Sequence, residues 1–492
     1  MALFFTLLYI LTAYLSPGVL FGDLAEFRIE LIFAALALLT SIFALQGSGL
    51  SRVPQAFAIL GICAAVFISI IFSGWLGHAP FALISFLPQA LIFFLIFVNV
   101  RTRKHILLIV GVLSIACIYT VLRAWFALQQ GSLTDPYLFT QWTEAGAPIF
   151  RIMGLGEIND PNDLAQALVS LTPLLFLFWK KGSTLRNFFT VLLPASLLTF
   201  GLFLTHSRGG IVGMLAVGIL ASRRKLGTIP SLIGAAVAFA VSMAIGWTGG
   251  REISVEAGSD RLEAWSTGLQ LIRSHPIFGV GFERFGEYFY ITAHNSVVVC
   301  AAELGLFGLF FWVLFLLTSI RDLRVAEKAG LADPDAGQDA PANPYLSMRS
   351  ARYAVASSRQ TPTGGLLLAE AEDDDDDRDL VPAPTPLQPP PHLASLAEPA
   401  ELSAEQIRGM ARLSLLSLTG FLVTGWFLSR AYVMLLFLYG GLAQVIYQMA
   451  LSRGLVPARM RMGRAARLSF MSSIGLILVV YIILRLQNMF AK

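Results

Sequence analysis

The chain has 492 residues, of which 56% are hydrophobic and 13% charged, and its formal net charge is +4. Soluble domains carry roughly 25% charged residues, so this composition excludes an ordinary soluble globular protein. Apolar stretches of about 18 or more residues recur from end to end, and each is long enough to cross a bilayer core. The composition therefore indicates a polytopic α-helical membrane protein.

We predict an all-α integral membrane bundle of about 12–13 transmembrane helices. An outer periplasmic loop should contain short amphipathic helices. The predicted spans, in chain order, are 2–20, 28–45, 55–73, 81–100, 105–128, 161–179, 187–205, 209–221, 229–246, 295–319, 411–428, 431–450 and 467–486.

Basic clusters indicate the orientation of these spans. From the fourth span onward a cluster follows every second span, and cytoplasmic loops carry the excess of Lys and Arg. We therefore expect the N-terminus inside and the loops 129–160 and 247–294 outside, on the periplasmic side. The clusters are R-T-R-K (101–104), K-K-G-S-T-L-R (180–186), S-R-R-K (222–225), R-D-L-R (321–324) and the run 452–467.

The composition divides the chain into four parts. Residues 1–128 and 409–492 are N-terminal and C-terminal spans, and 129–324 form a core with both long outer loops. Residues 325–408 contain A-E-D-D-D-D-D-R-D and V-P-A-P-T-P-L-Q-P-P-P and show no apolar period. Such a segment buries too little surface to offset its ordering entropy, so we predict a disordered cytoplasmic loop. A solvated tether is favoured over a docking site.

Polar residues stand where spans reach the outer side, first in D-P-N-D-L-A (160–165). Asp160 and Asn162 are typical helix caps. Asp163, at the mouth of the span, is a candidate for holding a sugar hydroxyl or an arginine.

The motif T-H-S-R-G-G (205–210) separates two spans on the outer side. An outer arginine runs against the charge asymmetry of membrane proteins, and glycines allow a close approach of the backbone. Arg208 at a helix N-terminus, with Ser207 before it, suits a phosphate. The alternative is an arginine that snorkels to the interface, and His206 is expected to be a surface or interface residue.

The outer loop 247–294 contains the pattern of an amphipathic helix. Asp260 and Glu263 have capping-box spacing, and His275 with Pro276 should end the helix. Trp265 belongs to an apolar stripe, so we expect this helix to lie along the outer interface.

Arg261 stands in the first turn of that helix, where a cation opposes the helix dipole and needs an anion partner. Asp260 or Glu263 could supply it, and a bound phosphate is the functional alternative.

The run beginning A-H-N-S (293–296) carries the last polar group at the outer mouth. On a continuous helix Ala301, Gly305 and Gly308 share the face of His294, so another helix can approach there. Glu303 faces the opposite way, and we expect it to pair with an Arg or Asn of a neighbouring helix or to stay protonated. A cap or interface role is the alternative for His294.

Together these motifs resemble the O-antigen ligase and polymerase superfamily, which includes O-linked oligosaccharyltransferases. The resemblance covers roughly residues 150–320. It is carried by D-P-N-D-L-A, S-R-G-G (207–210), R-L-E-A-W (261–265) with H-P-I-F-G-V-G-F (275–282), and H-N-S (294–296) with E-L-G-L-F-G (303–308).

The resemblance implies transfer of a glycan from undecaprenyl diphosphate to an acceptor hydroxyl at the periplasmic face of the bacterial inner membrane. It assigns His294 as the general base and Arg208 and Arg261 as clamps on the diphosphate. Asn295, Ser207 and Asp163 are candidate substrate-binding residues. We expect no metal, no cofactor and no nucleic-acid partner.

Three functions remain open from the sequence. A ligase would use lipid A–core as the acceptor, with a protein hydroxyl as a variant, and a polymerase would extend repeat units with the same donor chemistry. A transporter of lipid-linked glycan would instead place ionisable residues near the bilayer midplane. The polar residues here gather at the outer mouths, which favours an enzyme.

Overall fold

The computed structural model describes residues 1–45, 48–131, 134–142, 146, 148–247, 255–331, 402–456 and 462–490. The chain divides into two compact units, Met1–Ala329 with Ala404–Lys492 and a second of Gly330–Ser403. Only 330–331 and 402–403 of the second unit are among the described residues, and every described helix and strand belongs to the first. Most of the predicted disordered loop, 332–401, lies outside the described residues.

Fourteen helices of twelve or more residues build the described part of the first unit. They are α1 (Ala2–Leu15), α2 (Ile29–Leu45), α3 (Pro54–Phe72), α4 (Ala79–Asn99), α5 (Arg103–Gln130), α6 (Pro161–Leu175), α7 (Thr184–Leu204), α8 (Arg208–Leu226), α9 (Thr228–Ala244), α10 (Val255–Ser274), α11 (Ser296–Glu327), α12 (Ala404–Gly425), α13 (Met434–Leu451) and α14 (Met462–Phe490). Short helical turns occupy Pro17–Leu20, Gly22–Ala25, Leu50–Arg52, Leu76–His78, Gly156–Ile158, Phe176–Phe178 and Phe285–Glu287.

The predicted all-α membrane fold is confirmed. Within the described residues, seven helices (α3, α4, α5, α7, α11, α13 and α14) are long and apolar enough to cross a membrane, and α1, α2 and α9 are shorter apolar helices. Each predicted span coincides with a helix, α6, α8 and α12 accounting for the remaining three. The boundaries of the loop predicted at 325–408 shift, because α11 continues to Glu327 and α12 begins at Ala404.

Basic side chains join neighbouring helices at one end of the bundle. The Arg103 guanidinium donates to the carbonyl oxygen of Leu177 at 2.8 Å, and Arg224 forms an ion pair with Glu327 at 2.7 Å. These contacts link the clusters at 101–104 and 222–225 to the ends of α6 and α11. The polar motifs of the sequence lie at the opposite helix ends.

A β-hairpin stands in the loop 129–160, for which the sequence analysis predicted no strand. Its strands, β1 (Leu138–Trp142) and β2 (Pro148–Ile152), pair antiparallel with Leu138 opposite Ile152. Ile152 is fully buried, while Trp142 is 66% exposed. The hairpin therefore buries the end that contains Leu138 and Ile152 and exposes the end that contains Trp142. Strands of five residues are too short to give a clear alternating pattern in the sequence.

Helix α11 is broken at Gly305, where φ is +66°. The loop after α10 inserts at this break. The N–H of Leu306 donates to the carbonyl oxygen of Pro276 at 2.8 Å, and the N–H of Gly281 donates to that of Glu303 at 3.0 Å. Backbone groups freed in an apolar bundle must find such partners. The predicted continuous face of Ala301, Gly305 and Gly308 is therefore wrong, because the glycine at 305 admits a loop and not a helix.

Helix α10 also differs from its prediction. It begins at Val255, upstream of the proposed capping box at Asp260, and it ends at Ser274 as predicted. Trp265 is 9% exposed, and a Cβ placed on Gly268 would lie 2.3 Å from Val298 of α11. The apolar stripe of α10 thus packs against α11 within the protein, where the prediction had turned it toward the membrane.

Candidate functional site

One connection draws the predicted site residues together, the bridging segment 426–433 between α12 and α13. Its Trp426 ring packs edge-on against Trp265, with ring centroids 6.1 Å apart. Phe427 packs on Gly209, which is next to Arg208. The Ser429 hydroxyl accepts a hydrogen bond from the backbone N–H of His294 at 2.7 Å. The sequence analysis gave this segment no role.

Ser207 caps α8 and fixes the position of Arg208 as its first residue. The Ser207 hydroxyl accepts from the N–H of Gly210 at 3.3 Å and donates to Asn162 Oδ1 at 2.9 Å. Ser207 is 1% exposed. The N-terminus of α8, with its arginine, is therefore held rigidly against the start of α6.

Asn162 links the start of α6 to the N-terminus of α8 and is not a helix cap, contrary to prediction. Its Oδ1 also accepts from the Arg151 guanidinium at 2.9 Å, and Arg151 Nε donates to the carbonyl oxygen of Thr205 at 2.8 Å. Asp160 does cap α6, since its carboxylate accepts from the N–H of Asn162 at 2.7 Å.

Arg261 lies within electrostatic range of Arg208. Burial lowers the pKa of the Arg261 guanidinium, and the positive charge of Arg208 lowers it further. Among the described residues Arg261 forms no ion pair with Asp260 or Glu263, the partners that the sequence offered. Two like charges are thus held near each other at this end of the bundle, which an anion would stabilise.

His294 adopts a left-handed backbone conformation, with φ of +46°, directly before α11. The preceding carbonyl, of Ala293, accepts from the Trp265 indole N–H at 2.7 Å, which ties His294 to the helix that carries Arg261. The cap of α11 is Asn295, whose Oδ1 accepts from the N–H groups of Val297 and Val298 at 2.9 and 3.2 Å. Asn295, and not His294, therefore caps α11.

Asn295 is fully buried and Asp163 is 6% exposed. Asp163 forms an ion pair with Arg430 of the bridging segment, whose Nε donates to Asp163 Oδ1 at 2.7 Å. Of the two roles raised for Asp163, the structure shows the contact with an arginine. Arg430 was missed by the sequence analysis, although an arginine between two spans on the outer side is the signal that identified Arg208.

A cavity of about 400 Å³ opens beside Arg430 and contains three carboxylates, those of Glu157, Glu283 and Glu303. Glu303, 4% exposed, accepts from the backbone N–H of Phe285 at 3.3 Å. Its partner is thus a backbone amide of the outer loop and not an Arg or Asn of a neighbouring helix, which was one of the two alternatives raised for Glu303.

Glu157 stands at the wall of the cavity, in the turn before α6. Its carboxylate accepts from the N–H of Met434 at 3.3 Å. Burial raises its pKa to about 7; the N–H of Met434 opposes this shift and the charge of Glu30 adds to it. Within the described ranges, no three His, Cys, Asp or Glu side chains are grouped so that they could hold a metal ion.

Residues 193–313 match the model of a protein family described as O-antigen ligase. The match begins in α7 and ends in α11, so it contains Arg208, Arg261 and His294 and leaves out Asp163 and Arg430. No curated protein matches the chain.

Proposed function

We propose that this protein is a member of the O-antigen ligase superfamily, whose family model matches residues 193–313, and that it transfers a glycan from undecaprenyl diphosphate to an acceptor hydroxyl. We propose that the acceptor is lipid A–core, as in an O-antigen ligase. The protein is a multi-pass membrane glycosyltransferase of the ligase and polymerase type. We place it in the bacterial inner membrane, with its site facing the periplasm.

The observation that carries the proposal is that Arg208, at the N-terminus of α8, and the part-buried Arg261 of α10 lie within electrostatic range of each other. Like charges held together disfavour each other, and a diphosphate between them would turn this repulsion into attraction. Arg208 stands on the first turn of α8, where backbone N–H groups and the helix dipole also favour an anion. Fixed cations of this kind stabilise charge that develops on a leaving group.

The reaction needs one proton acceptor besides these cations. As the acceptor oxygen attacks the anomeric carbon, His294 takes the hydroxyl proton, and the bond between the anomeric carbon and the phosphate oxygen breaks. The electron pair of that bond leaves with the diphosphate, whose charge Arg208 and Arg261 offset. Two hydrogen bonds support a fixed place for His294: the Ala293 carbonyl accepts from Trp265 of α10, and the His294 N–H donates to Ser429 of the bridging segment.

Substitution of the arginines tests the proposal. We expect Arg208→Ala and Arg261→Ala each to lower the rate of glycan transfer about 10²–10³-fold, because each removes a group that stabilises the leaving diphosphate. The assay uses the purified full chain in lipid nanodiscs, with a polyprenyl-diphosphate oligosaccharide as donor.

Arg273→Ala is the matched control, since Arg273 is an exposed arginine on the same helix as Arg261. It should transfer as the wild type does. Wild-type rates in both Arg208→Ala and Arg261→Ala would contradict the proposal.

A further inference from the structure

The bridging segment contacts three different parts of the site in chain order. Trp426 and Phe427 lie against the helices that carry the arginine pair. Ser429, next along the segment, holds the backbone of His294. Arg430 and Tyr432 then line the cavity of about 400 Å³. The residue that contacts His294 therefore lies, along the segment, between the residues at the arginine pair and those at this cavity. We call it the carboxylate cavity.

The carboxylate cavity has the size and lining of a small-molecule site. Its volume falls in the range of roughly 300–1,000 Å³ that is usual for ligand pockets. Besides Glu157, Glu283 and Glu303, its walls carry Asn159 and Gln89. Gln89 Oε1 is buried and has no hydrogen-bond partner among the described residues. A buried acceptor without a partner costs free energy that a hydroxyl or amino group of a ligand would offset.

Charge decides which ligand the cavity can take. Three carboxyl groups line the cavity beside one guanidinium, that of Arg430, which Asp163 already neutralises. Burial raises the pKa of Glu157 to about 7 and also raises the pKa of Glu283, so the cavity gains negative charge as the pH rises above about 7. At such a pH a phosphate in this cavity would meet an excess of negative charge, so the diphosphate belongs at the arginine pair. Carboxylates and amides instead accept hydrogen bonds from sugar hydroxyls, and carboxylates also stabilise an ammonium group.

We propose that the carboxylate cavity binds the terminal sugar of the acceptor, and that this sugar is neutral or carries an amino group and no phosphate. The proposal rests on the proposed function, which supplies the direction of the reaction. Bound there, the sugar lies beside Ser429, whose hydroxyl holds the backbone of His294, and presents a hydroxyl to His294. The cavity thus selects the acceptor by charge.

Sugar binding without a donor tests this proposal. The probes are a neutral disaccharide, the same disaccharide with one hydroxyl replaced by an amino group, and its phosphate monoester. Saturation-transfer NMR at pH 8 on the full chain in nanodiscs should give a Kd for the phosphate monoester at least about tenfold weaker than for the other two, since a like charge at close range costs more than 1.4 kcal/mol. Equal or tighter binding of the phosphate monoester, or no binding of any probe, overturns the proposal.

A pair of variants assigns the selectivity to the cavity. Glu157→Gln with Glu283→Gln should reduce the preference for the amino disaccharide over the phosphate monoester about tenfold. Glu287→Gln is the matched control: it removes an exposed carboxylate of the same outer loop, which pairs with Arg284, and it should change nothing. The same loss of preference in the control as in the double variant would also overturn the proposal.

The outcomes separate the two claims. Charge-selective sugar binding without glycan transfer would contradict the proposed function and leave the cavity as a sugar site. Glycan transfer that depends on Arg208, together with sugar binding that ignores charge, would contradict only the present inference.

Discussion

At the outer end of the bundle, burial shifts the pKa values of single residues. Arg208 and Arg261 lie within electrostatic range of each other, and Glu157 keeps a raised pKa of about 7. Perturbed groups of this kind cluster at functional sites. The site therefore combines a cationic part with a part where carboxyl groups hold protons more tightly than usual.

The pKa of Glu157 predicts a dependence of stability on pH. It lies above the ordinary value of 4.5, so between about 4.5 and 7 the folded state binds more protons than the unfolded state. The contribution of Glu157 to stability therefore falls as the pH rises through this window. Glu157→Gln does not titrate, so its melting temperature relative to the wild type should rise from about pH 4.5 to 7 and then stay level. Thermal unfolding in detergent measures this, and a difference that is constant with pH would contradict it.

The sequence revealed part of the site at this scale. Arg208 and Arg261 stand out because cations are rare on the outer side, and His294 because it opens an apolar run. Arg430 carries the same signal but lies outside the quoted motifs, and its partner Asp163 is 267 positions away in the chain. Pairing over such a separation depends on tertiary packing, which no local pattern records.

At the scale of elements, local signals predicted the helices and missed their interruptions. Apolar length is a property of each segment, so every predicted span corresponds to a helix. The break at Gly305 depends on the loop after α10, whose backbone bonds to residues 302–307 of α11. The sequence shows a glycine there but not the loop that requires it.

Gly305→Ala should be strongly destabilising for this reason. A Cβ at this position would lie 2.2 Å from the carbonyl oxygen of Ile277, and the φ of +66° disfavours any side chain. Strain and overpacking together should cost about 2–5 kcal/mol, seen as a lower melting temperature and a lower folded yield. Gly234→Ala in α9 meets no atom within 4 Å and serves as the control. A Gly305→Ala protein as stable as the control would show that the break is not required.

At the scale of the whole molecule, the basic clusters and the proposed site lie at opposite ends of the bundle. Basic clusters such as 222–225 join helices at one end, and the arginine pair, His294 and the carboxylate cavity lie at the other. The charge pattern of the sequence predicted this separation, because the positive-inside bias acts on whole loops. The cavity itself could not be predicted, since its walls come from five separate stretches of the chain.

The most direct test of the account is glycan transfer by His294→Ala in the nanodisc assay, compared with His275→Ala, an exposed histidine at the end of α10. Loss of the general base should lower the transfer rate about 10²–10⁴-fold, while the protein stays folded and inserted. His275→Ala should retain the wild-type rate. Transfer by His294→Ala at the rate of the control would contradict the central claim that this end of the bundle catalyses glycosyl transfer through His294.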